Sequence, residues 1–563
     1  MPLTDDRASV RRRPNSWRVP RWVNPKPALR GNASAVAWLA AIPLIAAEPG
    51  YIDSLQCRPC HTAIYDGFAR TGMGRSFQPP AALGEIAPVE FAHAASKSTF
   101  RLARRDGALM LQHLETKLEV RVDWLIGSGN HSRTPAHLKA NGRLIELPLS
   151  QYSERAGYWA MSPGYDRPDH SGFRREVSDG CLFCHNAYPS QANSGLGTGI
   201  DCQRCHGPGE AHAKQQKPIV NPAKLARDRA LEVCLQCHLE TGSRSSPDAI
   251  RRYDRAPFAY RPGEPLGDFQ IYFEPAAGLS DEALTVNSAG AGMLRSRCFQ
   301  ASAGALSCTT CHDPHGVRQL DANTACAQCH AKAHPDKHAG SCTGCHMPKR
   351  RTEDAVHVVM TDHRITRRAP RPDALAPRAE RHDRYSGAVK FFYPRTQAPN
   401  DRAYLAIAQS DPRSLAGALA TMREAAPAMW FELGRLWQQR NRRDEALRAY
   451  RTAAARDHMP ARIAASELLL EAGDAPEAIR IFEGIALDQP DSLNALAAAY
   501  VAANRYRDAA SLLRRAIAID EWQPMSHFNL GVALEAQGDR EGAAAAYQKA
   551  RVLQPGLSRA TPR

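Results

Sequence analysis

Apolar and polar positions alternate on both sides of a short turn at Asp106-Gly107. The alternating apolar positions are Phe100, Leu102, Leu109 and Leu111. A period of two residues is typical of a β-strand with one buried face, and a short polar turn joins two such strands into a hairpin. A second extended stretch covers residues 120–126 and ends at a Gly-Ser-Gly-Asn turn before His131. We therefore predict a small antiparallel β insertion over about residues 85–150.

From about residue 400 the apolar positions change to a helical period and recur as a repeat. The repeat is anchored on Ala446, Ala478, Ala509 and Ala543, which are 32, 31 and 34 positions apart. A large apolar residue follows each anchor by four positions: Tyr450, Phe482, Leu513 and Tyr547. Gly434 and Gly531 precede their anchors by twelve positions, and residues 403–426 form a further, degenerate unit. Pro460, Pro490, Pro524 and Pro555 are expected to close the units.

This pattern resembles the 34-residue tetratricopeptide repeat (TPR), a helix–turn–helix unit that stacks into a solenoid. The resemblance implies a TPR domain over residues 401–557. Such solenoids offer a concave surface on which a protein partner docks. A generic helical bundle is the alternative interpretation.

The first 47 residues have the pattern of an export signal. Residues 1–34 are basic, and the apolar run at residues 35–47 stops at Glu48-Pro49-Gly50. A charged segment followed by a short apolar run is typical of a secretory signal peptide. An uncleaved N-terminal anchor is the alternative, although 13 residues are few for a membrane span. We expect a periplasmic or otherwise exported protein with no other spanning segment.

Cysteine is concentrated in one recurring motif. Of the 15 cysteines in this 563-residue chain, fourteen lie in seven Cys-x-x-Cys-His motifs, and Cys298 is left over. This motif is the attachment signature of a c-type haem: the thiols bond the porphyrin and the His ligates the iron. A disulfide framework or a zinc site would leave the repeated His unexplained. The predicted attachment residues are Cys57, Cys60, Cys181, Cys184, Cys202, Cys205, Cys234, Cys237, Cys308, Cys311, Cys326, Cys329, Cys342 and Cys345, and the proximal ligands are His61, His185, His206, His238, His312, His330 and His346.

We therefore predict about seven covalent haems c over residues 48–365. Cys308, Cys326 and Cys342 are only 18 and 16 positions apart, so successive porphyrins must lie side by side. Residues 239–307 are expected to form an ordered loop around the haems, and the Arg/Pro-rich residues 366–400 a linker. The predicted fold class is mainly α: a loop-rich multihaem cytochrome c domain with a small antiparallel β insertion, followed by an α-helical TPR solenoid.

The net charge of +15 does not indicate nucleic-acid binding. Residues 1–47 carry eight Lys/Arg and two Asp/Glu, so their removal leaves +9. Seven haems would bring fourteen propionates, which makes the mature ferrous protein acidic, at about −5. The basic isoelectric point therefore belongs to the polypeptide without its cofactor.

The surplus of histidine indicates distal iron ligands. Beyond the seven motif histidines, twelve of the remaining fourteen lie before residue 383. Neutral imidazole binds iron well, with Met73 and Met347 as the thioether alternatives. His338 is favoured by its place four residues before Cys342, and His93 is a weaker candidate.

Three stretches resemble the cytochrome c554-type multihaem cytochromes, and more closely the exported bacterial proteins that join such a domain to TPRs. They are Cys205-His206-Gly-Pro-Gly-Glu-Ala-His212, Cys311-His312-Asp-Pro-His315-Gly and Cys345-His346-Met-Pro-Lys. In that family a His shortly after one motif ligates a neighbouring haem. The resemblance implies this role for His131, His212, His315, His357 and His363.

Two functions follow as expectations. The first is an exported heptahaem cytochrome that relays electrons along closely packed haems, with its TPRs docked on a redox partner protein. The alternative is a multihaem oxidoreductase that converts a small nitrogen or sulfur compound at one haem with an open coordination position. All seven motifs end in His, so no Lys-ligated active haem is indicated.

Overall fold

The structure is a computed structural model. It describes residues 50–154, 157–188, 196–242, 248–278, 283–319, 321–330, 341–367, 371–382, 385, 387–555 and 557. The predicted export signal at residues 1–47 and the predicted ligand His338 lie outside these ranges. Within them, no helix combines the length and the apolar composition that a membrane span requires.

A four-stranded antiparallel sheet confirms the predicted hairpin. In order along the sheet, its strands are β2 (Val89–His93), β3 (Ser98–Arg105), β4 (Ala108–His113) and β5 (Leu118–Arg121). Asp106 and Gly107 turn the chain with φ of 50° and 80°, and Arg105 pairs with Ala108 across the turn. Because side chains alternate across a strand, the four alternating residues Phe100, Leu102, Leu109 and Leu111 all face one core and are buried.

A second antiparallel sheet extends the β region beyond the predicted boundaries. Its strands are β1 (Phe77–Gln78), β6 (Trp124–Ile126), β7 (Ser132–Leu138), β8 (Leu144–Glu146), β9 (Leu149–Tyr152) and β10 (Tyr158–Met161). The order is β1-β6-β7-β9-β10, with β8 also paired to β7. The core of the two sheets includes Leu125, Leu147 and Phe173. The insertion therefore spans residues 77–161 rather than 85–150, because its outer strands are too short to show alternation.

Two further sheets lie outside the predicted β insertion. A three-stranded antiparallel sheet contains β11 (Ala249–Arg251), β12 (Gln270–Pro275) and β15 (Val389–Tyr393), and a hairpin contains β13 (Lys349–Arg351) and β14 (Val359–Thr361). Residues 239–307, predicted as a loop, thus contribute two strands, and the predicted linker at 366–400 contributes β15. Tyr272 and Phe273 on β12 are buried, so the aromatic content of this region forms protein core.

Short helices carry the rest of the N-terminal part. They are α1 (Thr62–Phe68), α2 (Asp179–His185), α3 (Gln203–His206), α4 (Glu210–Gln215), α5 (Arg227–His238), α6 (Ala289–Arg295), α7 (Arg297–Ala301), α8 (Cys308–Cys311), α9 (Ala322–His330) and α10 (Cys342–His346). The main core of this part joins α2 and α5 to β12 through Phe183, Leu235 and Tyr272.

The C-terminal part is a stack of helix pairs, as the repeat predicts. The helices are α11 (Asp401–Ala408), α12 (Pro412–Thr421), α13 (Pro427–Gln439), α14 (Arg443–Ala454), α15 (Met459–Glu471), α16 (Ala475–Arg480), α17 (Pro490–Ala502), α18 (Tyr506–Ile519), α19 (Pro524–Ala536) and α20 (Arg540–Leu553). The four predicted anchors Ala446, Ala478, Ala509 and Ala543 are buried. A Cβ on Gly434 would lie 2.4 Å from the ring of Tyr450, so glycine permits the close approach of α13 and α14.

The prolines have a different place from the one predicted. Pro460, Pro490 and Pro524 lie in the first turn of α15, α17 and α19, so they open helix pairs instead of closing them. The physical reason is that a first-turn residue needs no backbone N–H partner, and the fixed φ of proline suits the helix. Pro555 follows the end of α20.

Both ends of the helical stack pack on the N-terminal part. At one end, Tyr404 and Ile407 of α11 share a core with Phe273 and Val389 of the three-stranded sheet. At the other end, the turn between α18 and α19 reaches the β7 region, where the Trp522 and His137 ring centroids are 5.6 Å apart. The helical stack is therefore fixed to the N-terminal part at two separate places.

Candidate haem-binding site

Each Cys-x-x-Cys-His motif lies on a short helix or at a helix end. Numbered 1–7 along the chain, motifs 2, 3 and 4 end α2, α3 and α5, motif 5 includes α8, motifs 6 and 7 end α9 and α10, and motif 1 precedes α1. Residues three apart on a helix lie on the same face. The helical geometry therefore presents both thiols of a motif in one direction, as attachment to a single porphyrin requires.

Three motif histidines face a histidine from outside the motifs. The ring centroids of His61 and His212 are 6.3 Å apart with 16° between the ring planes. The corresponding values are 6.1 Å and 13° for His206 and His315, and 6.1 Å and 30° for His312 and His363. Each pair thus joins a predicted proximal ligand to a predicted distal one.

These distances fit two imidazoles that share one iron. A metal–imidazole bond is about 2 Å long, and a ring centre lies about 1 Å behind its nitrogen, so two imidazoles on opposite sides of a metal have centroids about 6 Å apart. Among the described residues, no group of three or more His, Cys, Asp or Glu is arranged to hold a metal ion. A haem iron takes only two axial ligands from the protein, so pairs are the arrangement that suits it.

The hydrogen bonds of these histidines leave the coordinating nitrogen available. The Nδ1 atoms of His206, His212 and His363 lie 2.8, 2.8 and 3.0 Å from the carbonyl oxygens of Val220, Lys217 and Thr361, respectively. A ring that donates its Nδ1–H to a carbonyl has its lone pair on Nε2, which is the tautomer that metal-ligating histidines adopt. The same contact joins His346 to the carbonyl of Thr366 at 2.6 Å.

Burial also favours the neutral form of the motif histidines. Desolvation is the main cause that lowers the pKa of four of them, namely His185, His206, His238 and His312. An imidazole must be neutral to bind a metal, so the low pKa suits a ligand.

Thiols from different motifs lie beside one another at four places. The pairs are Cys57 with Cys202, Cys184 with Cys237, Cys234 with Cys308, and Cys326 with Cys342. In every pair the two cysteines hold the same position in their motifs. All 15 cysteines are free thiols. If each thiol bonds a porphyrin, the attachment edges of the haems on motifs 1 and 3, 2 and 4, 4 and 5, and 6 and 7 meet.

The other predicted ligands have different surroundings. His131 lies near Lys349 and the backbone of Val359, on the β13–β14 hairpin. The Nδ1 of His357 is 3.1 Å from the Tyr158 hydroxyl. Among the described residues, no ring contact pairs His131 or His357 with a motif histidine. Their roles as iron ligands stay predictions.

His93 and Cys298 also have neighbours other than a motif histidine. His93 contacts Ser96 and Asp166 at 2.8 and 3.1 Å in the four-stranded sheet region. Cys298 interacts electrostatically with Cys311 and Cys329, between motifs 5 and 6. The sequence gives no signal for the carbonyl partners Val220 and Thr366, because a backbone acceptor is independent of residue type.

Comparisons with known proteins identify the repeats. The tetratricopeptide repeat family model matches residues 431–492 and 494–558. The helical stack thus contains TPRs, and repeats of this kind generally bind protein partners. No curated protein matches the chain.

Solved structures resemble less than a third of the chain. MamA from Desulfovibrio magneticus RS-1 is 15% identical, with 29% of this chain and 96% of that chain covered, at a TM-score of 0.25. The C-terminal part of a TPR protein from Cytophaga hutchinsonii is 20% identical over 29% of this chain and 70% of that chain, also at 0.25. At these TM-scores the likeness carries no conclusion about function.

Proposed function

We propose that this chain is an exported heptahaem c-type cytochrome that relays electrons, with its TPRs docked on a redox partner protein. The observation that carries the proposal is the set of three His–His pairs. Each pair combines one motif histidine with one histidine outside the motifs, at the separation that a shared iron needs. When bound, each haem supplies a reversible one-electron couple, whose potential the axial ligands and burial adjust.

The pairs and the thiol contacts support a continuous array. His212 follows motif 3 but faces His61 of motif 1, and His315 follows motif 5 but faces His206 of motif 3. A segment that leaves one motif would therefore supply the distal ligand of the neighbouring haem. The contact between Cys234 and Cys308 brings motif 4 next to motif 5, and so connects motif 4 to the array. This connectivity suits electron transfer between adjacent porphyrins.

Protein docking is the role we propose for the repeats. TPR solenoids bind partners, and this one is fixed to the motif-bearing part at both ends. A partner held on the solenoid would therefore be held at a set position relative to the haems. The partner expected is an electron donor or acceptor protein.

Haem content is the first test. The protein is produced in an exporting host with a cytochrome c maturation system, and its intact mass is measured. We expect about seven covalent haems, and one fewer in the double variant Cys308→Ala/Cys311→Ala. Cys298→Ala is the matched control, because this cysteine lies outside the motifs and its loss should leave the haem number unchanged. A mature chain without covalent haem would refute the proposal.

The second candidate is an oxidoreductase with one open haem. For three motif histidines, His185, His238 and His330, the described residues provide no facing imidazole. Electron paramagnetic resonance of the oxidised holoprotein separates the two functions. Only low-spin signals favour the relay, whereas a high-spin signal that changes on addition of nitrite or hydroxylamine favours the enzyme.

A further inference from the structure

The buried side chain of Arg204 has hydrogen-bond donors without acceptors. Arg204 is an inner residue of motif 3 and is 1% exposed. Its Nη2 donates to the carbonyl of Asn186 at 3.1 Å. Its Nε and Nη1 are buried and have no hydrogen-bond partner in the part of the chain that the structure describes.

Aromatic rings cover the face of this guanidinium but do not accept hydrogen bonds from its N–H groups. The Cζ atom lies 3.8 Å from the ring centroid of Tyr188 and 4.5 Å from that of Phe183. Cation–π attraction stabilises the charge from above the plane, whereas the N–H groups point outwards in the plane. Because an Arg side chain stays protonated at any ordinary pH, a buried guanidinium needs an anionic or hydrogen-bonding partner.

The carboxylate of Asp201 is not that partner. Asp201 interacts electrostatically with Arg204. However, its two oxygens accept hydrogen bonds from the backbone and side-chain nitrogens of Gln203, at 3.1 and 3.0 Å. No ion pair of Arg204 is found among the described residues. The Asp201 carboxylate is instead occupied by its hydrogen bonds from Gln203.

We propose that the unpartnered Nε–H and Nη1–H groups of Arg204 donate hydrogen bonds to oxyanion oxygens of the carboxylate type. Such charge-assisted hydrogen bonds are about twice as strong as those between neutral groups. The site lies between motifs 2 and 3, because Arg204 belongs to motif 3 and covers Phe183 of motif 2. It also interacts electrostatically with the Cys184 thiol of motif 2.

Two sources can supply this chemistry. One is a haem propionate, which rests on the proposed function, and the other is a small free oxyanion from solvent. The near-complete burial of Arg204 favours the propionate. A propionate belongs to the covalently attached haem, so it would be enclosed as the protein folds and would need no path from solvent to the site. A free oxyanion at this place would be a ligand of a haem-lined cavity.

The decisive experiment is a crystal structure of the wild-type holoprotein, after intact mass has established the haem number. The expected result is a carboxylate or oxyanion oxygen within hydrogen-bond distance of Nε or of Nη1. A seven-haem structure in which these atoms contact only protein atoms or water overturns the inference and leaves the proposed function intact. A chain without haem defeats the proposed function, while binding of formate to that chain still tests the anion site.

Solution measurements distinguish the two sources. If a propionate occupies the site, Arg204→Gln should lower the midpoint potential of one haem, because loss of a nearby positive charge favours the ferric state. Arg204→Lys, which keeps the charge, should shift it less. If the source is a free oxyanion, the wild type should bind sodium formate or sodium nitrite in calorimetric titrations, and Arg204→Gln should abolish binding. Unchanged potentials together with no anion binding contradict the proposal.

Discussion

The ammonium group of Lys139 lies 2.7 Å from the carboxylate of Asp520, and both side chains are almost fully buried. Lys139 follows strand β7, whereas Asp520 lies between α18 and α19, so the ion pair joins the β region to the TPRs. Lys139 also contacts Glu176 at 2.9 Å. Removing one member of a buried ion pair leaves an uncompensated charge, which costs about 3–5 kcal/mol. We expect Lys139→Met to lower the free energy of unfolding by this amount in urea titrations.

Asp520→Asn should cost less, because Lys139 keeps Glu176 as a partner. The matched control is Arg505→Ala, which removes the exposed pair of Arg505 with Asp508 and should cost less than about 1 kcal/mol. Equal losses in the buried and exposed variants would contradict the interpretation of this contact as an anchor.

Close approach of helices in the repeats depends on glycine. In Gly434→Ala the new Cβ would lie 2.4 Å from the ring of Tyr450. We expect a loss of about 1–3 kcal/mol from overpacking. Gly417→Ala in α12 is the control, because nothing lies within 4 Å of the added Cβ. The greater helix propensity of alanine should make that variant neutral or up to about 1 kcal/mol more stable. Thermal unfolding of both variants provides the comparison.

On the proposed haem function, the His–His pairs predict which residue completes three of the iron sites. His212→Ala, His315→Ala and His363→Ala should each convert one low-spin haem to high spin in electron paramagnetic resonance spectra, with the haem number unchanged. The control is His458→Gln, in the repeats, which should leave the spectrum as it is. A variant of a distal histidine with an unaltered low-spin signal would disprove that residue's role.

Acid should weaken the four-stranded sheet region through His170. Burial is the main cause that lowers the pKa of His170 from 6.5 to about 4, with His93 as a further cause. Between these values the unfolded chain binds the proton more readily, so this contribution to stability is present above pH 6.5 and is lost as the pH falls towards 4. We expect the drop in Tm between pH 7 and pH 5 to be smaller in His170→Gln than in the wild type. An identical drop would exclude His170 as a cause.

Local sequence patterns predicted the elements that depend on neighbours in the chain. The hairpin around Asp106 and the repeats anchored on Ala446 were found because their periods are visible within short windows. The identity of His212, His315 and His363 as candidate ligands came from motif resemblance. Which motif each one faces could not be read from the sequence, since His212 faces His61 across the whole β insertion.

The three-stranded sheet shows the opposite case. Its strand β12 pairs with β15, which lies more than a hundred residues later, within an Arg/Pro-rich region. Neither strand has a clear alternating pattern, because Tyr272 and Phe273 are buried on opposite sides of β12 in two different cores. A strand that is covered on both faces loses the period of two by which strands are recognised.

The four neighbouring thiol pairs have a consequence for how the protein is made. Cys57 and Cys202, like the other three pairs, are brought together by the folded polypeptide itself. In an oxidising compartment, neighbouring thiols of this kind would form non-native disulfides. A cysteine in a disulfide cannot bond a vinyl group of a porphyrin. On the proposed function, cofactor insertion must therefore precede complete folding, or a dedicated reductant must keep these thiols reduced until each porphyrin is attached.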